Sequence, residues 1–141
     1  MNADAALADE PGLVPELSVA DLGESLAFWC GLCGFAVVYD RPEHGFAAIQ
    51  RGRARVMLDQ LGVDRDWTTA PLERPFGRGM NLELPVDDLA PILEAFASAR
   101  WPLFMAPETK TYRVGGGAAT VRQFLVQDPD GYLLRFSQRI G

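Results

Sequence analysis

The sequence has few of the side chains from which metal sites and nucleophilic catalysts are built. It contains one histidine, His44, and two cysteines among 141 residues. A transition-metal site takes several His, Cys and carboxylate ligands, and a catalytic triad needs a histidine as its base. The single histidine lies in a turn-forming stretch after Pro42. The composition therefore argues against these kinds of site.

Long hydrophobic runs and an excess of positive charge are missing as well. No apolar run approaches the length of a membrane span, and no basic segment followed by an apolar one opens the chain. With 19 acidic against 13 basic side chains, the formal net charge is −6, which disfavours nucleic-acid binding. We therefore expect a one-domain cytoplasmic protein that has no nucleic-acid or membrane partner.

The two cysteines have the spacing of a redox pair, in the stretch "FWCGLCG". A redox pair gains thiolate stability at the N-terminus of a helix. The helix here is predicted to begin near Asp21, which places Cys30 and Cys33 in its third and fourth turns. We therefore interpret them as buried, reduced thiols within the helix.

An internal repeat organises the chain. The segments "LSVADLGESLAFW" (17–29) and "LPVDDLAPILEAF" (84–96) align without a gap at an offset of 67 residues, and each reads as a strand, an acidic cap and an amphipathic helix. Strand-like runs separated by turn residues follow each helix. The sequence thus predicts an α+β protein of two βαβββ modules, with this division: an arm at 1–12, a first module at 13–60, a linker at 61–78 and a second module at 79–141.

The last strand carries an arginine in an apolar context. It follows the turn Asp128-Pro129-Asp130-Gly131. Strand alternation places Arg135 on the face opposite Leu134 and Phe136. The function of Arg135 then depends on what its face looks into.

These motifs resemble a known family. The paired repeat, with "SLAFWCGLCGF" after the first strand and "RQFLVQDPDGYLLRF" near the end, is similar to the glyoxalase/bleomycin-resistance group of the vicinal-oxygen-chelate superfamily. The resemblance spans about 13–137 and is closest to the metal-free bleomycin-binding resistance proteins. It implies curved mixed sheets around a concave cavity, and a homodimer in which the partner completes the groove.

The same resemblance indicates a protein without metal. The positions of the family's metal ligands correspond here to Val14, Asn81 and Arg135, with a further one near Met57. Valine and methionine do not supply the His/carboxylate set, and a guanidinium repels a metal cation. We expect no metal and no cofactor.

The candidate site follows from Arg135. Strand alternation places Glu16 on the cavity face of the first strand, and Asn81 and Glu83 on that of the fifth. The resemblance adds Tyr39 and Phe46 as aromatic contacts of a ligand, whereas a further family tryptophan is replaced by Thr120. The candidate ligand-binding set is Glu16, Tyr39, Phe46, Asn81, Glu83 and Arg135, and the roles of Trp67, Trp101 and Tyr112 stay open.

Three functions are compatible with these residues. The first is a non-catalytic protein of the bleomycin-resistance type, which binds and sequesters a cationic or aromatic small molecule. The second is an enzyme of the glyoxalase/dioxygenase superfamily, either a lyase or a metal-independent catalyst that uses Glu16, Glu83 and Arg135. The third is a scaffold whose cavity has closed around its own salt bridges. We assign no catalytic residue.

Overall fold

The computed structural model describes residues 10–141, so most of the predicted arm at 1–12 lies outside the described residues. The described chain forms two modules of the same element order, separated by an irregular stretch. The elements are β1 (Glu16–Val19), α1 (Leu22–Trp29), β2 (Ala36–Arg41), β3 (Phe46–Arg51), β4 (Ala54–Gln60), β5 (Asn81–Pro85), α2 (Ala90–Ser98), β6 (Met105–Val114), β7 (Gly117–Gln127) and β8 (Leu133–Arg139).

Each module builds its own four-stranded sheet. The strand orders are β1-β4-β3-β2 and β5-β8-β7-β6. The first strand of each module pairs parallel to its last strand, and the other pairings are antiparallel. The α+β fold of two βαβββ modules with mixed sheets is confirmed, and neither sheet closes into a barrel.

The repeat extends to individual hydrogen bonds. The N–H of Leu22 at the start of α1 donates to Gln60 Oε1 at 2.9 Å, and the N–H of Leu89 donates to Gln138 Oε1 at 3.0 Å. The caps differ in position, because Asp21 accepts the N–H of Glu24 in the first turn of α1, whereas Asp88 accepts the N–H of Ala90, the first residue of α2, at 3.0 Å. No helix of the described chain is long and apolar enough to cross a membrane.

The prediction that the cysteines lie within the helix is wrong. Helix α1 ends at Trp29, and Cys30 and Cys33 lie in the turn that follows. The turn leads to Gly34, which has a φ of 78°, a conformation that suits glycine after a helix. Cys33 is buried and Cys30 is half-buried, and burial raises the pKa of both thiols, which disfavours the thiolate form.

One core joins the two modules. The helices cover one face of each sheet, and the aromatic side chains of both modules meet there. The rings of Phe28 in α1 and Phe96 in α2 lie 5.7 Å apart, and Phe96 contacts Phe124 and Phe136 of the second sheet. The opposite face of each sheet is left uncovered by the helices.

The turn before β8 fastens the second module to the first. Trp29 Nε1 donates to the buried carboxylate of Asp128 at 3.2 Å. The carboxylate of Asp130 accepts the N–H of Ala20 at 3.2 Å, and the hydroxyl of Tyr132 donates to the carbonyl of Ser18 at 2.8 Å. The stretch that the sequence identifies as a turn is thus also the junction between the modules.

Candidate functional site

In each sheet, the side chains of one face point away from the helices. Register pairs Glu16 with Met57 in the first sheet and Glu83 with Arg135 in the second, so Met57 and Arg135 occupy equivalent positions. Because successive side chains alternate between the two faces of a strand, the register defines two surfaces. We call them the first open face (Glu16, Tyr39, Arg41, Phe46, Met57 and Asp59) and the second open face (Asn81, Glu83, Tyr112, Gln123, Leu125 and Arg135).

Arg135 is held in a polar network on the second open face. Its Nη2 lies 3.6 Å from Glu83 Oε1, and its Nη1 donates to Gln123 Oε1 at 3.5 Å. Glu83 also accepts a hydrogen bond from Ser137 Oγ at 3.0 Å. Both contacts of the guanidinium are long, and its Nε is buried without an acceptor among residues 10–141. The guanidinium is therefore only partly neutralised by the chain itself.

Gln123 links this arginine to the neighbouring strands. It is buried, and its Nε2 donates to Tyr112 Oη at 2.6 Å and to Glu108 Oε1 at 3.2 Å. Neither Gln123 nor Glu108 is among the residues that the sequence predicts for the site. What would identify these two residues is the register between β6 and β7, which includes a bulge between Met105 and Glu108. Tyr112, whose role the sequence leaves open, lies on this face.

The first open face combines aromatic rings, a cation and carboxylates. The rings of Tyr39 and Phe46 lie 6.0 Å apart. The guanidinium of Arg41 lies 4.1 Å from the centre of the Phe46 ring and 5.9 Å from that of Tyr39. Burial and the neighbouring charge of Asp59 raise the pKa of Glu16. The pKa of Asp59 is raised by burial and by the charges of further aspartates.

A small pocket of about 150 Å³ opens on this face. Its lining residues are Glu16, Arg41, His44, Phe46, Asp59, Asp64, Arg65 and Trp67. His44 Nδ1 lies 3.2 Å from Asp64 Oδ2, and Arg65 lies 4.7 Å from the centre of the Trp67 ring. Trp67 therefore stands at the rim of the pocket. The remaining tryptophan, Trp101, packs against Phe28 on the helix side.

Within one chain the six predicted residues fall into two groups of three. Glu16, Tyr39 and Phe46 belong to the first open face, whereas Asn81, Glu83 and Arg135 belong to the second. The two sheets share no strand pairing in the described chain. Arg135 contacts Glu83, and Glu16 is not among its described partners.

The residues at the positions that the resemblance assigns to metal ligands do not fit a metal ion. Val14 and Met57 have no hard donor atom, and Arg135 brings a positive charge to the equivalent position on β8. Among residues 10–141, no three His, Cys, Asp or Glu side chains are grouped so that they could hold a metal ion.

Comparisons with known proteins agree with this fold. The family model of the Glyoxalase/Bleomycin resistance protein/Dioxygenase superfamily matches residues 13–136. A bleomycin resistance determinant encoded on the transposon Tn5 is 25% identical, with a TM-score of 0.57 over 89% of this chain and 95% of that chain.

Proteins with other names also have similar structures. TioX from Micromonospora sp. ML1 is 20% identical, with a TM-score of 0.68 over 91% of this chain and 98% of that one. A virulence protein from Salmonella typhimurium is also 20% identical, with a TM-score of 0.66 over 90% and 94% of the two chains. No curated protein matches the sequence. From the match over nearly its whole length, the chain belongs to the glyoxalase/bleomycin resistance protein/dioxygenase superfamily.

Proposed function

We propose that this protein is a non-catalytic, bleomycin-resistance-like protein that binds and sequesters a cationic or aromatic small molecule in the cytoplasm, without metal or cofactor. The observation that carries the proposal is the stacking of Arg41 on Phe46, 4.1 Å from the ring centre. A surface that holds a planar cation of its own has the aromatic ring and the carboxylates that a cationic ligand needs. The similarity to the Tn5 bleomycin resistance determinant supports the same function.

The complete site, in this proposal, lies between two subunits of a homodimer. The first open face of one subunit faces the second open face of its partner, so that both groups of three predicted residues meet around one ligand. Two features of the described chain support this. Each open face holds only half of the predicted set, and the outer strand β2 exposes the large apolar side chains of Val38 and Tyr39.

One observation favours a second candidate, a metal-independent enzyme. Glu16 has a raised pKa beside a second carboxylate, and such a carboxyl can transfer protons at a pH closer to neutrality. Under this alternative, Glu16→Gln abolishes turnover of a substrate. Under sequestration, the bound compound is recovered unchanged after prolonged incubation.

Titration with metal-free and copper-loaded bleomycin tests sequestration directly. Trp67, at the rim of the pocket, supplies a fluorescence signal. We expect saturation at submicromolar concentration with one or two ligands per dimer, as protection without chemistry requires tight binding. Absence of saturation up to about 1 mM would reject bleomycin as the ligand.

Two variants on one strand locate the binding surface. Tyr39→Ala removes an aromatic ring from the first open face, and we expect it to weaken binding about tenfold. Val37→Ala is the matched control, because Val37 is paired with Ile49 on the opposite face of the same strand and is similarly exposed. Equal effects of the two variants would show that the ligand does not use this face.

A further inference from the structure

A cleft of about 540 Å³ lies between residues of the two modules. It is lined by the β3–β4 turn, Arg51-Gly52-Arg53-Ala54, and by Leu84-Pro85-Val86-Asp87 at the end of β5. No lining residue is shared with the pocket around Phe46. The volume lies within the range of small-molecule sites.

The repeat gives this cleft a counterpart in the other half of the molecule. At the offset of 67 residues, the end of β5 corresponds to the end of β1. Arg51 and Ala54 are the paired residues that close the β3–β4 turn. Asp128 and Tyr132 close the β7–β8 turn, where the N–H of Asp128 donates to the carbonyl of Tyr132 at 2.9 Å. Ala54 therefore occupies the position that Tyr132 occupies in the other half.

In the other half this space is filled by the chain itself. Tyr132 reaches across to the end of β1, where its hydroxyl donates to the carbonyl of Ser18 at 2.8 Å. The carboxylate of Asp130 accepts the N–H of Ala20 at 3.2 Å and pairs with Arg74 at 3.1 Å. A phenol and a carboxylate thus satisfy the end of β1, and a guanidinium pairs with that carboxylate.

The corresponding groups at the end of β5 have no such partners. Ala54 has no ring, and a Cβ placed on Gly52 would meet no atom within 4 Å. The N–H of Asp87, equivalent to that of Ala20, meets no acceptor among residues 10–141. The N–H of Val86 bonds to β8, so alternation directs the carbonyl of Pro85 away from that strand.

The charge of the cleft favours an anion. Neither Arg51 nor Arg53 forms an ion pair within the described chain. The carboxylate of Asp87 is the one acidic side chain in the lining, and it opposes these two positive charges. The lining therefore carries a net positive charge, although the whole chain has a formal charge of −6.

We propose that this cleft is a second ligand site, which takes a small aromatic carboxylate with a phenolic hydroxyl. The ring of the ligand lies over Ala54, where the other half has the ring of Tyr132. The hydroxyl donates to the carbonyl of Pro85, and the carboxylate accepts from the N–H of Asp87 and from Arg53. The site is independent of the proposed sequestration of a cation on the open faces.

A titration of the ¹⁵N-labelled full chain with 4-hydroxyphenylacetate tests the site. We expect saturable shifts of the backbone amide signals of Gly52, Arg53 and Asp87, with a Kd of about 1 mM, ordinary for a ligand of this size. The uncharged amide of the same compound should bind about tenfold more weakly, because it lacks the carboxylate. Equal binding of acid and amide, or no saturation at about 10 mM acid, overturns the proposal.

Two variants and a control complete the test. Ala54→Tyr places in the cleft the side chain that the other half already accommodates, and it should abolish the shifts. Arg53→Ala should weaken binding about tenfold, while Arg113→Ala, at an exposed arginine of the β6–β7 hairpin, should leave it unchanged. Binding that persists in Ala54→Tyr overturns the proposal. If that variant does not fold, Arg53→Ala and the amide of the ligand still test the proposal.

Discussion

Asp128 carries a negative charge into the core, where burial raises its pKa to about 6 although three hydrogen bonds favour the charged form. The folded chain therefore holds the proton of this carboxyl more tightly than the unfolded chain does. The stabilising contribution of the protonated form is complete below the unfolded pKa, near 3.8, and is lost as the pH rises through about 6.

Asp128→Asn should remove this pH dependence. Between pH 4 and pH 6, we expect the free energy of unfolding of the wild type to fall, relative to that of the variant, by about 2–3 kcal/mol. A separate, pH-independent loss of about 1 kcal/mol is expected in the variant, because its amide N–H₂ group cannot accept from Trp29. Chemical denaturation at several pH values measures both effects, and Asp40→Asn, at an exposed aspartate, is the control. Parallel pH profiles for the wild type and Asp128→Asn would contradict this account.

Arg41 competes with any planar cation for the ring of Phe46. Arg41→Ala should therefore raise the affinity for benzamidinium about two- to fivefold, the strength of an exposed cation–π contact. Calorimetric titration measures the change, with Arg122→Ala on β7 as the control. Weaker binding by Arg41→Ala would mean that the guanidinium contacts the ligand instead of competing with it.

At the scale of the elements, local patterns were sufficient for most strands and for the starts of the helices, but not for the end of α1 at Trp29. Caps and apolar stripes depend on residues close in sequence, which is why the start of α1 and the repeat were predictable. Strand β6 continues to Val114 through an exposed polar stretch. The strand is this long because it pairs with β7, and the alternation of polar and apolar residues does not predict that pairing.

The site was less predictable for the same reason. Glu16, Glu83 and Arg135 follow from alternation and the family resemblance. The neighbours of Arg135 depend on register: Gln123 lies on β7 next to β8, and a bulge aligns Glu108 with it. One of the hydrogen bonds that Asp128 accepts comes from Trp29, which is distant in sequence.

The equivalent helix starts give matched elements for a stability test. Gln60→Ala and Gln138→Ala each remove one acceptor of a helix-start N–H, and each should cost about 1 kcal/mol. The double variant should cost about 2 kcal/mol, because the two sites share no partner. Urea denaturation gives all three values. A much larger effect for one glutamine would show that the two helix starts are not energetically equivalent.

At the scale of the whole molecule, the homodimer can be tested by mixing subunits. Tyr39→Ala damages the first open face and Arg135→Ala the second, so each homodimer should bind the ligand of the open faces weakly. If the site spans two subunits, a mixed dimer holds one intact site, and an equimolar mixture should recover about a quarter of the wild-type sites. If the mixture recovers no sites, then either a working site lies within one chain or the two open faces do not form the site. Light scattering should give a mass of twice the 15.4 kDa chain.

The segregation of strands has a consequence for how the chain is held together. Every strand pairing described lies within 16–60 or within 81–139, and the stretch between 62 and 73 is exposed. The halves meet through Phe28 and Phe96, and through the bonds of Asp128 and Tyr132. If the chain were cut in that stretch, the two resulting polypeptides would still contain all the residues that make these contacts. The protein is, in this respect, an intramolecular heterodimer whose covalent tether raises the local concentration of one half around the other.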